Sequence, residues 1–187
     1  MTYKERLEKI FGWGFRNTAG GTYADNAITE FNKALARWNT ALFSVPGLAI
    51  GSSDKAKVKI VNTLVYRYAG VAKTKTAAEV AFTATTHDLV KNTQAYYVYT
   101  MIADGTVTVT MGTPVADGAT PVIPTPPAGL VLGYVLIHAA TAAIFDATTT
   151  ELDALGGGGS IAYTDCLGYL NTDTLTAVGL LSARTGA

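Results

Sequence analysis

The stretch from Tyr96 to Phe145 limits the fold of this chain more than any other. Tyr96 to Ile102 is a dense run of aromatic and β-branched residues, and Val107, Val109 and Met111 then alternate with Thr108 and Thr110. Period-2 alternation belongs to a strand with one buried face. Between the two runs, Ala103-Asp104-Gly105-Thr106 is a turn sequence in which Gly105 can take the positive φ of a tight hairpin. Leu130 to His138 is a further apolar run of strand length. Five of the 6 prolines lie between Gly112 and Gly129. Proline fixes φ and lacks an N–H donor, so this segment is no central strand. It reads as an extended, polyproline-like crossover between two sheets or between subunits.

The flanking segments follow the same pattern. From Lys57 to Tyr68, the residues Val58, Ile60, Leu64, Tyr66 and Tyr68 share one face. Lys57, Lys59, Thr63 and Arg67 share the other, joined by Val61 and Val65. Asn62 interrupts the apolar face and marks a bulge or bend. Ala69-Gly70 is a turn into Val71-Ala72-Lys73, Val80 to Thr83 is a short strand, and Thr85 to Lys91 is a loop or single helical turn. Ala142 to Phe145 is expected to pair back onto Leu130 to His138 around Ala139-Ala140-Thr141. Thr148-Thr149-Thr150 caps a helical turn through Leu155, the GGGGS run at 156–160 is a native flexible loop, and Ile161 to Thr164 is a last strand. The expected fold class is mainly β, an antiparallel sandwich or barrel-like domain preceded by N-terminal helices.

Ahead of this domain, Tyr3, Leu7, Ile10 and Phe11 lie on one face of a short amphipathic helix that Gly12 and Gly14 break. The aromatics Phe11, Trp13, Phe15 and Tyr23 interleave with glycines, and Arg16 sits among them. A base-stacking platform needs several basic residues nearby, so these residues read as an anchoring arm for a neighbouring subunit. Asp25 is an N-cap for a helix over roughly 26–43. Its apolar positions Ile28, Phe31, Leu35, Trp38 and Leu42 are spaced three, four, three and four, an a/d seam. So short a seam is marginal alone in water and must pack on its own domain or on copies of itself. Pro46 and Gly47 end the helix, and Gly51-Ser52-Ser53-Asp54 is a linker. The domain plan is an arm and heptad helix over 1–50, a β domain over 51–165, and a C-terminal arm or tail over 166–187.

Bulk properties narrow the function. Basic and acidic side chains balance at 14 each, so charge argues neither for nucleic acid nor for an anionic membrane surface. The charged fraction is 15%, against roughly 25% in ordinary globular domains. Low charge at zero net charge favours association and so a large permanent interface. The charged first nine residues do not form a secretory signal, and no apolar run is long enough to span a membrane. One cysteine, Cys166, excludes an intrachain disulfide; it reads as a small buried hydrophobe.

No phosphate loop, dinucleotide fingerprint, zinc motif or calcium loop occurs. His87-Asp88 are adjacent, and neighbours on an extended chain point to opposite faces, so they make a poor base and orienter. His138 ends an apolar strand as a satisfied or solvent-facing residue. Asp146, Asp153 and Asp165 sit in turns, where Asp bonds the local backbone. The expectation is a non-enzyme with no catalytic residues, no metal and no cofactor. A carbohydrate-binding β-module is the alternative from another class, and it requires two or three coplanar, exposed Tyr or Trp on one face.

Asp104-Gly105, Pro124, Pro126-Pro127-Ala128-Gly129, Leu132-Gly133-Tyr134-Val135 and Thr149-Thr150-Glu151-Leu152-Asp153-Ala154 together resemble a pattern in structural proteins of tailed-phage virions. These are the small head-decoration or head-fibre proteins, and the resemblance spans roughly 61–163. It implies a virion protein, assembled in the host cytoplasm, that forms a symmetric oligomer, a trimer, and binds the outside of the capsid. Its partners would be itself and the major capsid protein, with no nucleic acid and no membrane. Ile28, Phe31, Leu35, Trp38 and Leu42 would then form the oligomer interface, and Phe11, Trp13, Phe15 and Arg16 the capsid-docking arm. A tail or baseplate fibre-type component fits the same resemblance.

Overall fold

The computed structural model describes residues 40–140 and 144–166. The chain divides between Trp38 and Asn39, and every described residue belongs to the unit that follows. The expected N-terminal helices, apart from the last residues of the second, lie outside the described residues, as does the segment 167–187. The described part is mainly β. In chain order its strands are β1 (Ala41–Leu42), β2 (Leu48–Ile50), β3 (Val58–Ile60), β4 (Leu64–Tyr68), β5 (Val71–Lys75), β6 (Ala78–Val80), β7 (Thr93–Met101), β8 (Val107–Met111), β9 (Val115–Ala116), β10 (Leu130–Ala139) and β11 (Ser160–Asp165). All pairings are antiparallel. They make a five-stranded sheet in the order β11-β10-β7-β8, with β9 also on β7, and two three-stranded sheets, β1-β4-β5 and β2-β3-β6.

The expected central hairpin is present as β7 and β8. The Asp104 carboxylate accepts a hydrogen bond from the Thr106 N–H at 2.7 Å, and Gly105 takes φ +88°, as its place in the turn requires. β7 is buried on both sides. Ala95, Tyr97, Tyr99 and Met101 face the main core, and Tyr96 and Val98 face a smaller cluster with Val131, Tyr134, Cys166 and Ile123. This two-sided burial explains why Tyr96–Met101 reads as a continuous apolar run rather than an alternating one.

The two small sheets are halves of one bent ribbon. Leu42 lies opposite Tyr66 and Leu48 opposite Ile60. Between these pairs the same register is carried by Phe43 N–H to Val65 O (2.8 Å), Asn62 N–H to Pro46 O (3.1 Å) and Val61 N–H to Gly47 O (3.3 Å). The alternation expected over 57–68 holds through it: Val58, Ile60, Leu64 and Tyr66 are buried, and Val61 and Val65 are exposed. Asn62 sits at the bend, its side-chain amide donating to Val45 O at 2.9 Å. The inward residues of the ribbon join Tyr97, Tyr99, Leu130, Leu132, Val135 and Ile137 in one core. The ribbon is fastened to the large sheet by the Leu48 N–H, which donates to the Asp165 carboxylate at 2.8 Å.

Several expectations are corrected. Leu42 was expected to close a helical seam, but Ala41–Leu42 is a strand, and Leu42 is 2% exposed inside the core. Pairing with Tyr66 buries it, a non-local gain that outweighs local helical spacing. β structure therefore begins ahead of the 50/51 boundary. Gly51-Ser52-Ser53-Asp54 is no linker: it closes the hairpin between β2 and β3. The Glu79 carboxylate accepts from the Ser52 and Ser53 N–H groups, each at 2.7 Å. The proline-rich segment first adds β9 to β7 and then crosses β7 to reach β10 within one sheet, not between two sheets. Phe145 does not pair with β10; it forms an isolated bridge with Leu89, and β10 takes β11 as its neighbour instead. The expected helical turn over 148–155 is a set of turns in which the Asp146 carboxylate accepts from the Thr148 N–H and hydroxyl, each at 2.9 Å. Gly156–Gly158 is one turn of 3-10 helix leading into β11. Cys166 also belongs with the β unit, because its N–H donates to Leu132 O at 2.9 Å.

Two glycines test this architecture. Gly105→Val places a β-branched residue at positive φ and is expected to destabilise by about 1 kcal/mol or more. At Gly133 a Cβ would stand 2.3 Å from Thr164 O and 2.7 Å from Leu48 Cδ1. Gly133→Ala must push β10 away from both neighbours and is expected to cost about 1–3 kcal/mol. Urea unfolding of each variant measures this; an unchanged midpoint for Gly133→Ala contradicts the close approach.

Candidate functional site

The loop between β6 and β7 holds the side chains with the most chemistry. Phe82 packs edge-on against Tyr97 (5.3 Å between ring centroids), Phe145 (5.6 Å) and Tyr99 (6.3 Å). His87 closes the cluster, edge-on to Phe82 and Tyr97 at 6.1 and 5.9 Å. Such pairs add to burial because ring edges and faces carry opposite partial charge. The His87 Nδ1 accepts from the Thr83 N–H at 2.9 Å, the His87 N–H donates to Thr83 O at 3.1 Å, and the Tyr97 hydroxyl donates to His87 O at 2.7 Å. With Nδ1 an acceptor, the neutral ring carries its proton on Nε2. Burial pushes the His87 pKa down, opposed by a hydrogen bond to the Val109 backbone and by the charge of Asp88.

Asp88 points the other way. Its carboxylate accepts from the Ala147 N–H at 2.9 Å, so the two neighbours have separate partners. His87 holds a loop and Asp88 fastens a second one. His138 Nε2 lies 3.4 Å from the Asp117 carboxylate but makes no hydrogen bond. Cys166 is buried, and desolvation together with the charge of Asp165 pushes its thiol up to about 12, far from a reactive thiolate.

The three aspartates expected in turns have different tasks, and Asp165 is the last residue of β11 rather than part of a turn. Asp146 bonds its local backbone, which holds its carboxyl below the usual range. Asp153 pairs with Lys55 at 2.6 Å on the surface, beside the Leu152 N–H bond to Lys55 O at 2.9 Å that docks this loop on the ribbon's closing turn. Asp165 reaches across to β2. Among the described residues no cluster of three or more His, Cys, Asp or Glu could hold a metal ion, and no helix is long and apolar enough to cross a membrane.

The remaining feature is a surface. Phe43, Val45, Val61 and Val65 are 45%, 38%, 45% and 46% exposed. All four lie on the outward side of the bent ribbon, with Phe43 directly opposite Val65. Ser44 ties the two strands together there: the Val65 N–H donates to the Ser44 hydroxyl at 2.7 Å. Lys59 and Arg67 stand on the same outward side toward its two ends. An apolar centre with a polar rim is the composition of a contact surface.

Of the residues read from sequence as interface, Leu42 is in the core. Ile28, Phe31, Leu35 and Trp38 lie outside the described residues, and so do Phe11, Trp13, Phe15 and Arg16. The outward face combines Val61 and Val65, which the alternation over 57–68 placed correctly, with Phe43 and Val45, which a helical reading of that segment obscured. No protein-family model, no curated protein and no solved structure matches this chain.

His87 gives the fold a pH dependence with a defined sign. Its folded-state pKa is depressed, so the unfolded chain binds the proton more readily. Its contribution is fully present above the unfolded value of about 6.5 and is lost as pH falls through and below that value. Urea titrations between pH 7.5 and 5 are expected to show stability level at first and then declining. His87→Asn, which can keep an acceptor for Thr83, is expected to flatten that decline. A wild-type curve without slope over this range contradicts the account.

Proposed function

We propose that this protein is a structural component of a tailed-phage virion: an oligomer, a trimer, that binds the outside of the capsid and stabilises the shell by bridging neighbouring capsomers. The observation that carries this reading is the outward apolar face of Phe43, Val45, Val61 and Val65, exposed on a unit whose His87, Asp88 and Cys166 are engaged in packing and loop closure. The resemblance over 61–163 and the low charge support the same reading. Its mechanism is binding free energy between subunits, without turnover, catalytic residues or cofactor. The seam residues Ile28, Phe31, Leu35 and Trp38 join the copies. Phe11, Trp13, Phe15 and Arg16 form the docking arm, and aromatic and Arg anchors dominate contact energies at interfaces. Three arms on one oligomer bind at an effective concentration set by their tethering, so modest contacts sum to a durable attachment. The carbohydrate-binding alternative requires coplanar, exposed Tyr or Trp; every described tyrosine is buried or partly buried and Tyr96 and Tyr134 meet at 89°, while Trp13 and Trp38 lie outside the described residues.

Full-length protein is expected to co-sediment with heads that lack it and to raise their rupture temperature. A variant without residues 1–22 is expected to remain a soluble oligomer and lose head binding. Binding to tails or baseplates and none to heads moves the tail-component reading ahead. Trp38→Asp puts a charge into the seam, where desolvation opposes it, and is expected to give monomers in light scattering.

A further inference from the structure

We propose that the outward face of the bent ribbon, Phe43, Val45, Val61 and Val65, packs around the oligomer axis against the same face of the other copies of this chain. This rests on the self-association seam of the proposed function and extends it into the β unit. Residues 1–39 lie outside the described structure, and the segment carrying Ile28, Phe31, Leu35 and Trp38 ends where β1 begins. Trp38 and Phe43 are five residues apart, so even a fully extended chain separates them by at most roughly 18 Å. Copies joined along the seam therefore hold their Phe43 residues close to a common axis. The local concentration of one ribbon face around another then reaches the millimolar range typical of short tethers.

What that proximity presents is apolar. Phe43 and Val65 form a cross-strand pair, each nearly half exposed, and Val45 and Val61 extend it along the bend. None of the outward positions from Phe43 to Ala49 and from Lys59 to Arg67 is a carboxylate, and Glu79, opposite Lys59 on β6, is already bonded to the Ser52 and Ser53 N–H groups, so closure buries no unpaired negative charge. Lys59 is drawn toward the closing turn, its Nζ donating to the Ser52 hydroxyl at 2.9 Å. Four side chains fall well short of the roughly 800 Å² per partner that a stable interface covers. The face is thus the second half of an interface whose first half is the seam, and it does not hold copies together alone.

The test uses the full chain and sedimentation velocity. Val65→Lys and Phe43→Ser alter side chains that do not contribute to the core. Each is expected to raise the subunit dissociation constant at least tenfold. Val122→Lys, on the proline-rich crossover and 74% exposed, is expected to leave it within twofold. Val65→Thr preserves shape and strand preference, guards against loss of fold, and is expected to weaken association several-fold. The proposal is overturned if Val65→Lys and Phe43→Ser both assemble like wild type. If Trp38→Asp is monomeric while those two are unaffected, the seam stands and the ribbon face is no interface. A monomeric wild type overturns both. Head co-sedimentation of the same variants reports separately on the virion reading.

Discussion

Strand β7 has no free edge and no fully wet face. β10 pairs along its whole length on one side, β8 and β9 share the other, and Tyr97, Tyr99 and Met101 are wholly buried beneath it. The rest of the unit is arranged to meet that condition. The bent ribbon supplies Val58, Ile60, Leu64 and Tyr66 to one face, and the loops supply Phe82, Leu89 and Phe145. The crossover brings Ile123 to the other face. Proline suits that last task because the crossover lies over a sheet without needing ladder hydrogen bonds of its own. Apolar burial at roughly 25 cal/mol per Å² gives this layered core its driving force, and the polar groups that remain fix the layers in register.

Those polar groups are spent on fastening. Asp165 holds β2, Glu79 holds the turn after β2, Asp88 holds the loop at Ala147, and His87 closes its own loop over the aromatic cluster. Each joins segments that are apart in the sequence or pairs the amides of a turn. What is left facing outward at the centre of the ribbon is mostly apolar: Phe43, Val45, Val61 and Val65. The proposal of a virion component follows from that division: fixed side chains inside and a contact surface outside.

Much of this was legible from the sequence where the determining forces are local. The alternation of Val58, Ile60, Leu64 and Tyr66, the role of Asn62 as a bend, the turn at Gly105 and the strand at Leu130 depend on residues a few positions apart. Partners were not legible. Leu42 fits the helical spacing that precedes it, yet Tyr66 claims it from 24 residues away. Gly51-Ser52-Ser53-Asp54 has the composition of a linker and becomes a hairpin turn because Glu79 caps its amides. Phe145 and Leu89 find each other across 56 residues. The half of the contact surface carried by Val61 and Val65 was visible as an apolar intrusion on a polar face. The half carried by Phe43 and Val45 was hidden, because the helical pattern ran through to Phe43.

The central claim is that this chain works as a contact protein on the outside of a phage head, and electron cryo-microscopy of the particle that carries it tests this most directly. The account predicts density for an antiparallel β unit on the outer surface of the shell, repeated around a symmetry axis where capsomers meet, with the ribbon faces of neighbouring copies turned toward that axis. The same unit found only on the tail or baseplate, or particles whose shell carries no density for it, would contradict the claim.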